Sequence, residues 1–500
     1  MSRLPHGMSR LDLFLKHQCD PEPKKSAPLP STFGRLTENA NPVQVKNLTH
    51  QDLINILEKI ALDMGKKTDL SGPAAAGMTF FGQFVDHDVT LDATSALGTR
   101  IDPATIPNVR TPTLDLDCVY GAGPEATPHL YGSGDVANFL VYGNAKNPFD
   151  LARTMNGTAL IGDPRNDENA IISQIQSNFI AIHNILMSKS LADPDFYASL
   201  KHCARMGTSA DDWRINVPDR HVVFEEVRRF LRMHYQWVVW NEFLPEFVDQ
   251  ACLDEAREKD IFGSDAPVMP VEFSGAIYRF GHATAQPDYR LRKKDQTQTD
   301  MMQILGFGQR KIPVDMNQFF DLDGVAAQKA RPVGTTLGKA LTALPFIMDT
   351  VELHDIGITM TLSQSQNLPL RNMIRDRYTY QLASGEQFRA WMLGELDLYA
   401  PEVKVHPHLK KHGITKTPLW FYALQEAEQH GGGKLTGVGG AIISSVFARL
   451  LRLDKTTYWH AHGFMPSEHF ANDGGILAGM MKFAETHRDS IPNADQLMNG

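Results

Sequence analysis

The stretch 77–92, GMTFFGQFVDHDVTLD, constrains this chain more than any other. Helical spacing puts Gln83 and His87 four residues apart, on one face and about one turn from each other. Asp86 and Asp88 flank the histidine, and neighbours on a helix point roughly 100° to either side of it. An amide and an imidazole on one face, with a carboxylate on each flank, suit a site that handles protons beside a bound cofactor. The plain alternative for a bare Asp-His-Asp is a surface helix end.

The remaining sequence narrows the setting. With 500 residues, 42% of them hydrophobic, the chain can bury a large core, and length alone suggests two or three domains. A net charge of -9 and a pI near 6.1 argue against nucleic acid or an anionic membrane surface as the main partner. Cys19, Cys118, Cys203 and Cys252 are scattered without zinc or redox spacing, which points to a reducing compartment. The first 20 residues lack an unbroken apolar run, so no signal peptide is read, and 438–451 is too short to span a bilayer. The expectation is a soluble, cytoplasmic protein without a transmembrane segment, with export by a route lacking an N-terminal signal left open.

Residues 1–32 carry Pro21, Pro23, Pro28 and Pro30 and read as an extended arm or linker. Thr49 reads as an N-cap with Asp52 three residues on. Leu53, Ile56, Leu57, Ile60 and Met64 then follow at helical spacing until Gly65, a helix expected to brace the central stretch. Thr111, Thr113, Asp115 and Asp117 bring oxygen to every second position. In an extended segment that places them on one side, as a hard cation taking about 6–8 oxygens requires, or simply makes a solvated strand edge. Arg165 and Glu168 stand three apart in the opening turn of a long apolar helix and can face one cavity. A buried helix is read over 225–248, ending at Pro245. Another starts at Pro270 and carries Arg279, Gly281 and His282, where a glycine lets something flat approach the backbone. No repeat and no linker follow residue 32, so residues 33–500 are read as one largely α-helical domain built around one cofactor.

These pieces resemble a known family. GQFVDHDVT closely resembles the distal haem helix of the animal-type haem peroxidases, the myeloperoxidase–cyclooxygenase superfamily. Arg165-x-x-Glu168 resembles that family's catalytic arginine and haem-bonding glutamate. Arg279-Phe280-Gly281-His282 is similar to its Arg-Tyr-Gly-His, which supplies the proximal iron ligand, and 110–121 resembles its calcium loop. Residues 352–375, ending in Leu368-Pro369-Leu370-Arg371-Asn372, and 437–450 resemble two further family segments. The likeness runs from about Phe33 to Trp459.

The resemblance implies a single-domain, mostly α fold with haem b between distal and proximal helices. It also implies hydrogen peroxide as substrate, with a halide, pseudohalide or small organic compound as electron donor. Gln83, His87 and Arg165 would be catalytic, and His282 the iron ligand. Asp86, Glu168, Arg279 and Thr359 would contact the cofactor, the two carboxylates through ester links to haem methyl groups. Ca²⁺ would be held by Asp88, Thr111, Thr113, Asp115 and Asp117. Asn169 stands where myeloperoxidase, one member of the family, has the methionine that forms a third, sulfur link to haem, which implies poor chloride oxidation. Aligning Leu368-Pro369 puts Thr359 where the family has an asparagine behind the proximal histidine; Asp355 could take that role if the segment is helical. His183-Asn184 also matches a family pattern and is read as packing. The alternative function is a haem fatty-acid dioxygenase, which needs a tyrosine three residues before the proximal histidine, where this chain has Arg279. A third reading is a calcium-stabilised binding scaffold without catalysis.

Overall fold

The computed structural model describes residues 33–37, 48–66, 70–91, 96–106, 108–110, 112–143, 147–201, 219–295, 297–492 and 497. The arm read over 1–32 lies outside the described residues, as do Thr111, Cys19 and Cys203.

The architecture is helical. Among the described residues, strands are limited to two short antiparallel pairs, Asp288–Tyr289 with Thr299–Asp300 and Glu352–Leu353 with Ile358–Thr359. The helix His50–Met64 begins with the anticipated capping box: Thr49 Oγ1 accepts from Asp52 N, and Asp52 Oδ2 accepts from Thr49 N. Its stripe of Leu53, Ile56, Leu57, Ile60 and Met64 is buried. The helix packs against Leu368–Ile374 and Pro407–Lys411, so it braces the segment behind His282 and not the stretch that opens with Gly77.

That stretch forms the helix Ala76–Val89. Its N-terminus has no side-chain cap; instead Ala76 N donates to Gln328 O and Gly77 N to Phe319 O, at 2.7 and 2.8 Å. A Cβ at position 77 would lie 2.5 Å from that same carbonyl oxygen, so glycine is what permits the approach. The helix packs on the long, largely buried helix Ala170–Ala192, with Phe84 stacked on Phe179 at ring centroids 4.7 Å apart.

Two of the expected helices are interrupted. Arg220–Val238 continues through a wide π turn, Val239–Phe243, into Leu244–Phe247. Pro245 follows directly on the π turn, where the widened backbone admits a residue without an N–H inside the continuing helix. The segment after Pro270 breaks at Ala276 (φ -132°, ψ -74°) into Val271–Gly275, a 3₁₀ turn Ile277–Phe280 and a short helix Gly281–Thr284. The break sets the direction of His282 separately from the helix before it. Late in the chain Gly437–Leu453 is buried along most of its length, and Glu426 caps it by accepting from Val438 N and Gly439 N. Among the described residues no helix is long and apolar enough to cross a membrane.

Candidate active site

A cavity of about 440 Å³ opens between the helix Ala76–Val89 and the broken segment carrying His282. Gln83 and His87 line one wall at helical spacing, as expected of one helix face, and Thr79 and Asp86 line it beside them. Arg165 and Glu168 reach the same wall from the 3₁₀ turn Pro164–Asp167 and its end. Arg279, Gly281 and His282 line the opposite wall, together with Leu368, Arg371 and Arg375. A Cβ built on Gly281 meets no atom within 4 Å, so the wall is open where a flat group would lie against it.

On the His87 side the polar groups hold one another in place. His87 Nδ1 is 2.7 Å from Asn166 Oδ1. Burial, with Arg165 nearby, pushes the imidazole down to about 3, so the ring is neutral across the ordinary pH range. Arg165 donates from Nε and Nη2 to both oxygens of Asp163, and from Nη2 to the Thr90 carbonyl at 2.7 Å. Burial opposes ionisation of Asp163, but Arg165 and Arg110 outweigh it and hold the carboxyl down at about 2. Asn169 caps the helix Ala170–Ala192 with its Oδ1 while its Nδ2 donates to Gln83 Oε1 at 3.0 Å. Gln83 Nε2 is thereby turned to donate to Glu168 Oε1. Burial raises Asp86 and pushes Glu168 up to about 7, as for carboxyls facing a largely apolar space.

Across the cavity the partner of His282 differs from the sequence expectation. The side-chain amide of Asn372 lies 2.9 Å from His282 Nδ1. As placed, its Oδ1 is buried without a partner; a half-turn of the amide lets that oxygen accept Nδ1–H, leaving Nε2 unengaged. Thr359 is exposed on the hairpin strand Ile358–Thr359, opposite Glu352, and does not reach His282. Asp355 accepts from Arg100 N on the surface. The register counted back from Leu368-Pro369 placed the partner too early: Thr359 and Asp355 lie on or beside the hairpin 352–359, and the asparagine of the Leu-Pro-x-x-Asn string itself, Asn372, meets His282. The signal lay in the helix Leu368–Ile374 and the turn after it. Positions 368, 371, 372 and 375 share one helical face, and their side chains meet the cavity or His282.

Below His87, Asp88, Asp115 and Asp117 are all buried and offer carboxylate oxygens within 4.8 Å of one another. The chain between them is not extended: Leu116 takes a left-handed conformation (φ 61°), and Asp117 begins the short helix Asp117–Tyr120. The bend, and not strand alternation, brings the carboxylates together. Thr113 Oγ1 donates to Asp115 Oδ2 at 2.8 Å, and Arg110 Nη1 lies 3.3 Å from Asp117 Oδ1. Burial and the neighbouring Asp117 and Asp88 raise Asp115 well above the usual carboxylate range, and burial pushes Asp88 up to about 6. His183 bonds Tyr120 OH and the Asn138 carbonyl, and Asn184 brackets Leu140, so both pack as expected. Sequence reading assigned no role to Asn166, Asp163 or Gln176, whose partners are remote or sideways on the chain.

Comparison with known proteins shows the family and the fold. A model of the animal haem peroxidase family matches residues 92–343, half of the chain, and so includes Arg165, Glu168 and His282 while starting just after His87. The chorion peroxidase of Drosophila melanogaster is 24% identical over 261 residues, which cover 49% of this chain and 30% of that protein. Peroxidase A of Dictyostelium discoideum superposes with a TM-score of 0.56 at 14% identity, covering 90% of this chain and 94% of that one. The fatty acid alpha-dioxygenase of Oryza sativa gives a TM-score of 0.56 at 16% identity, covering 97% and 85%. That of Arabidopsis thaliana gives 0.55 at 16% identity, covering 92% and 76%. At such identities the structural likeness shows the shared fold, and the match to the curated relative spans under a third of that protein's length. With the family match extending over half its residues, the chain belongs to the animal haem peroxidase family.

Proposed function

We propose that the protein is a haem-dependent peroxidase that reduces hydrogen peroxide and oxidises halides, pseudohalides or small organic donors. One observation carries this reading: Gln83, His87 and Arg165 converge on one wall of a cavity whose opposite wall presents His282. The residues fit the cofactor that the family implies. His282 would bind iron through Nε2, with Asn372 accepting its Nδ1–H and raising its basicity. The guanidinium groups of Arg279, Arg371 and Arg375 line the same wall and match the two carboxylates at the edge of a haem. Asp86 and Glu168 face the cavity from the other side and would form the ester links.

Haem supplies the redox-active iron at which the oxygen–oxygen bond is cleaved. The chain's own residues manage protons and charge. His87, neutral and buried, takes a proton from peroxide at Nε2 and returns it to the departing oxygen. Arg165, pinned by Asp163, keeps positive charge beside the place where negative charge develops. Gln83 lines the cavity with its oxygen held by Asn169 and one N–H given to Glu168, so its second N–H is the group that would orient peroxide or water. Asp88, Thr111, Thr113, Asp115 and Asp117 would hold Ca²⁺, whose charge would reverse the upward push that burial gives Asp88 and Asp115.

The dioxygenase reading takes second place on the geometry. Arg279, not tyrosine, stands three residues before His282, and the neighbouring Tyr278 donates its OH to the Gly82 carbonyl at 3.0 Å.

His87→Ala should bind haem but slow the first spectral change on mixing with peroxide by about 10²–10⁴-fold, the range of positioned acid–base catalysis. Stopped-flow absorbance measures this, and a wild-type rate would sink the assignment. Rapid oxygen uptake on linoleate by the same wild-type preparation would favour the dioxygenase instead. If Asp86 and Glu168 esterify haem, acid–acetone should fail to extract it after turnover with peroxide, and the double change to alanine should release it. Full extraction from turned-over wild type means the haem is held without those links.

Removing Ca²⁺ with EGTA should lower the thermal unfolding midpoint. The stabilisation lost is about 2.7 kcal/mol if the ion had stood at 100 times its Kd. Asp115→Asn should unfold at the same midpoint with and without chelator. Superimposable wild-type curves in the two buffers refute the cation site. Finally, Asn372→Leu should shift the haem reduction midpoint and loosen the iron–His282 stretch seen by resonance Raman, whereas Thr359→Val should leave both unchanged. The reverse pattern would restore the register that the structure rejects.

A further inference from the structure

A proton-accepting histidine must present the correct ring nitrogen. In a neutral imidazole one nitrogen carries the proton and the other the lone pair, and the hydrogen bond made by the first decides which is which. In this protein the deciding bond belongs to a buried chain of amides that ends on a main-chain carbonyl. Cys118 O accepts from Gln176 Nε2 at 3.2 Å. Gln176 Oε1 accepts from Asn166 Nδ2 at 2.8 Å. Asn166 Oδ1 is left facing His87 Nδ1 at 2.7 Å. Asn166, Gln176 and Cys118 are 0% exposed, so water does not substitute for any link.

The direction of this chain follows from one group that cannot be reversed. A carbonyl only accepts, so Gln176 must turn its NH₂ to Cys118 and its oxygen to Asn166. Asn166 must then meet that oxygen with its own NH₂, and its remaining oxygen faces the ring. Flipping either amide sets two acceptors against each other at hydrogen-bond distance in a dry interior, which costs about 1–3 kcal/mol for each unsatisfied group. His87 Nδ1 therefore has an acceptor opposite it and must carry the proton.

The turn bearing Asn166 is itself fixed. Asp163 accepts from Arg165 N at 2.9 Å, Asn166 N donates to Asp163 O at 3.1 Å, and Asp167 is gripped by Arg153 through two bonds of 2.7 and 2.8 Å. Gln176 projects from the enclosed helix Ala170–Ala192. Neither amide has room to follow a rotating imidazole.

The geometry points to Asn166, anchored through Gln176 on the Cys118 carbonyl, as the positioning residue that holds His87 in its Nδ1–H tautomer and keeps the Nε2 lone pair for the cavity. This rests on the peroxidase reading of His87 and adds to it a residue whose type is dictated by polarity: it must accept on one side and donate on the other. Asparagine does so. An aspartate keeps the acceptor for His87 but loses the donor to Gln176, and an alanine loses both.

The test uses haem-loaded wild type, Asn166→Ala, Asn166→Asp and His87→Ala. In the cyanide-ligated wild type, proton NMR should show a labile, hyperfine-shifted ring proton of His87 that exchanges slowly with solvent, and this signal should vanish in Asn166→Ala. The rates of cyanide association and of the first spectral change with peroxide both need a proton taken up by Nε2. In Asn166→Ala each should fall by about tenfold or more, the scale on which partners that orient a histidine act. Haem uptake should be retained, and Asn166→Asp should recover most of the lost rate. A wild-type rate in Asn166→Ala, an Asn166→Asp rate no better than that of Asn166→Ala, or absence of the protected proton in wild type would overturn the proposal. If Asn166→Ala does not fold, the wild-type proton signal and the Asn166→Asp rate decide alone. A wild-type rate in His87→Ala would instead overturn the peroxidase reading itself, so the two failures are distinct.

Discussion

Asp163 is the carboxylate on which the cavity wall depends, because it gathers two guanidinium groups in a place where neither could be buried alone. It is fully enclosed, and it accepts from Arg165 on one side and pairs with Arg110 on the other, at 2.7 and 2.9 Å. Arg110 extends the chain of charge to Asp117, and Asp117 belongs to the acidic cluster beneath His87. Removing one member of such a buried pair leaves an uncompensated charge, at a cost of about 3–5 kcal/mol. The proton-handling face and the acidic cluster are thus two ends of one electrostatic unit, and the chain links them directly as well, since His87 and Asp88 are neighbours.

Around this polar unit the frame is aromatic and tightly packed. Phe81, Phe84, Phe179 and Tyr235 bring three helices together, with Phe84 stacked on Phe179 and Tyr235 edge-on to Phe81, Phe84 and Phe179. Aromatic side chains resist small displacements because any gap forfeits contact on both sides. That rigidity matters here, since hydrogen bonds such as those among Gln83, Asn169 and Glu168 only orient a group if their supports do not move. The one asparagine that caps a helix with its oxygen and turns Gln83 with its nitrogen shows how local and functional constraints share a residue.

The opposite wall is built by a different device. Breaking the backbone at Ala276 uncouples His282 from the helix before it, and the face of positions 368, 371, 372 and 375 supplies both its hydrogen-bond partner and the positive charge beside it. A two-stranded hairpin at 352–359 takes up the chain just upstream. A register counted back from Leu368-Pro369 lands on that hairpin, at an exposed threonine, and so misses Asn372.

By itself the sequence determined those features that depend on neighbours along the chain. The capping box at Thr49, the shared face of Gln83 and His87, and the glycine beside His282 are all set by spacing over a few residues. Periodicity and turn chemistry act at that range. Arg165 and Glu168, by contrast, stand in and at the end of a separate 3₁₀ turn ahead of the long helix they were expected to open. Only the tertiary structure decided the rest, because it depends on groups brought together from distant positions. Asn372 reaches His282 across 90 residues, Asn166 reaches His87 across 79, and Gln176 reaches the Cys118 carbonyl across 58. The carboxylates of 88, 115 and 117 converge through a left-handed residue at Leu116 that an alternating pattern does not foretell. Burial imposes these long-range choices: once an amide or a carboxylate is shut away from water it must find a partner, and the partner is whichever group the packed helices place within reach.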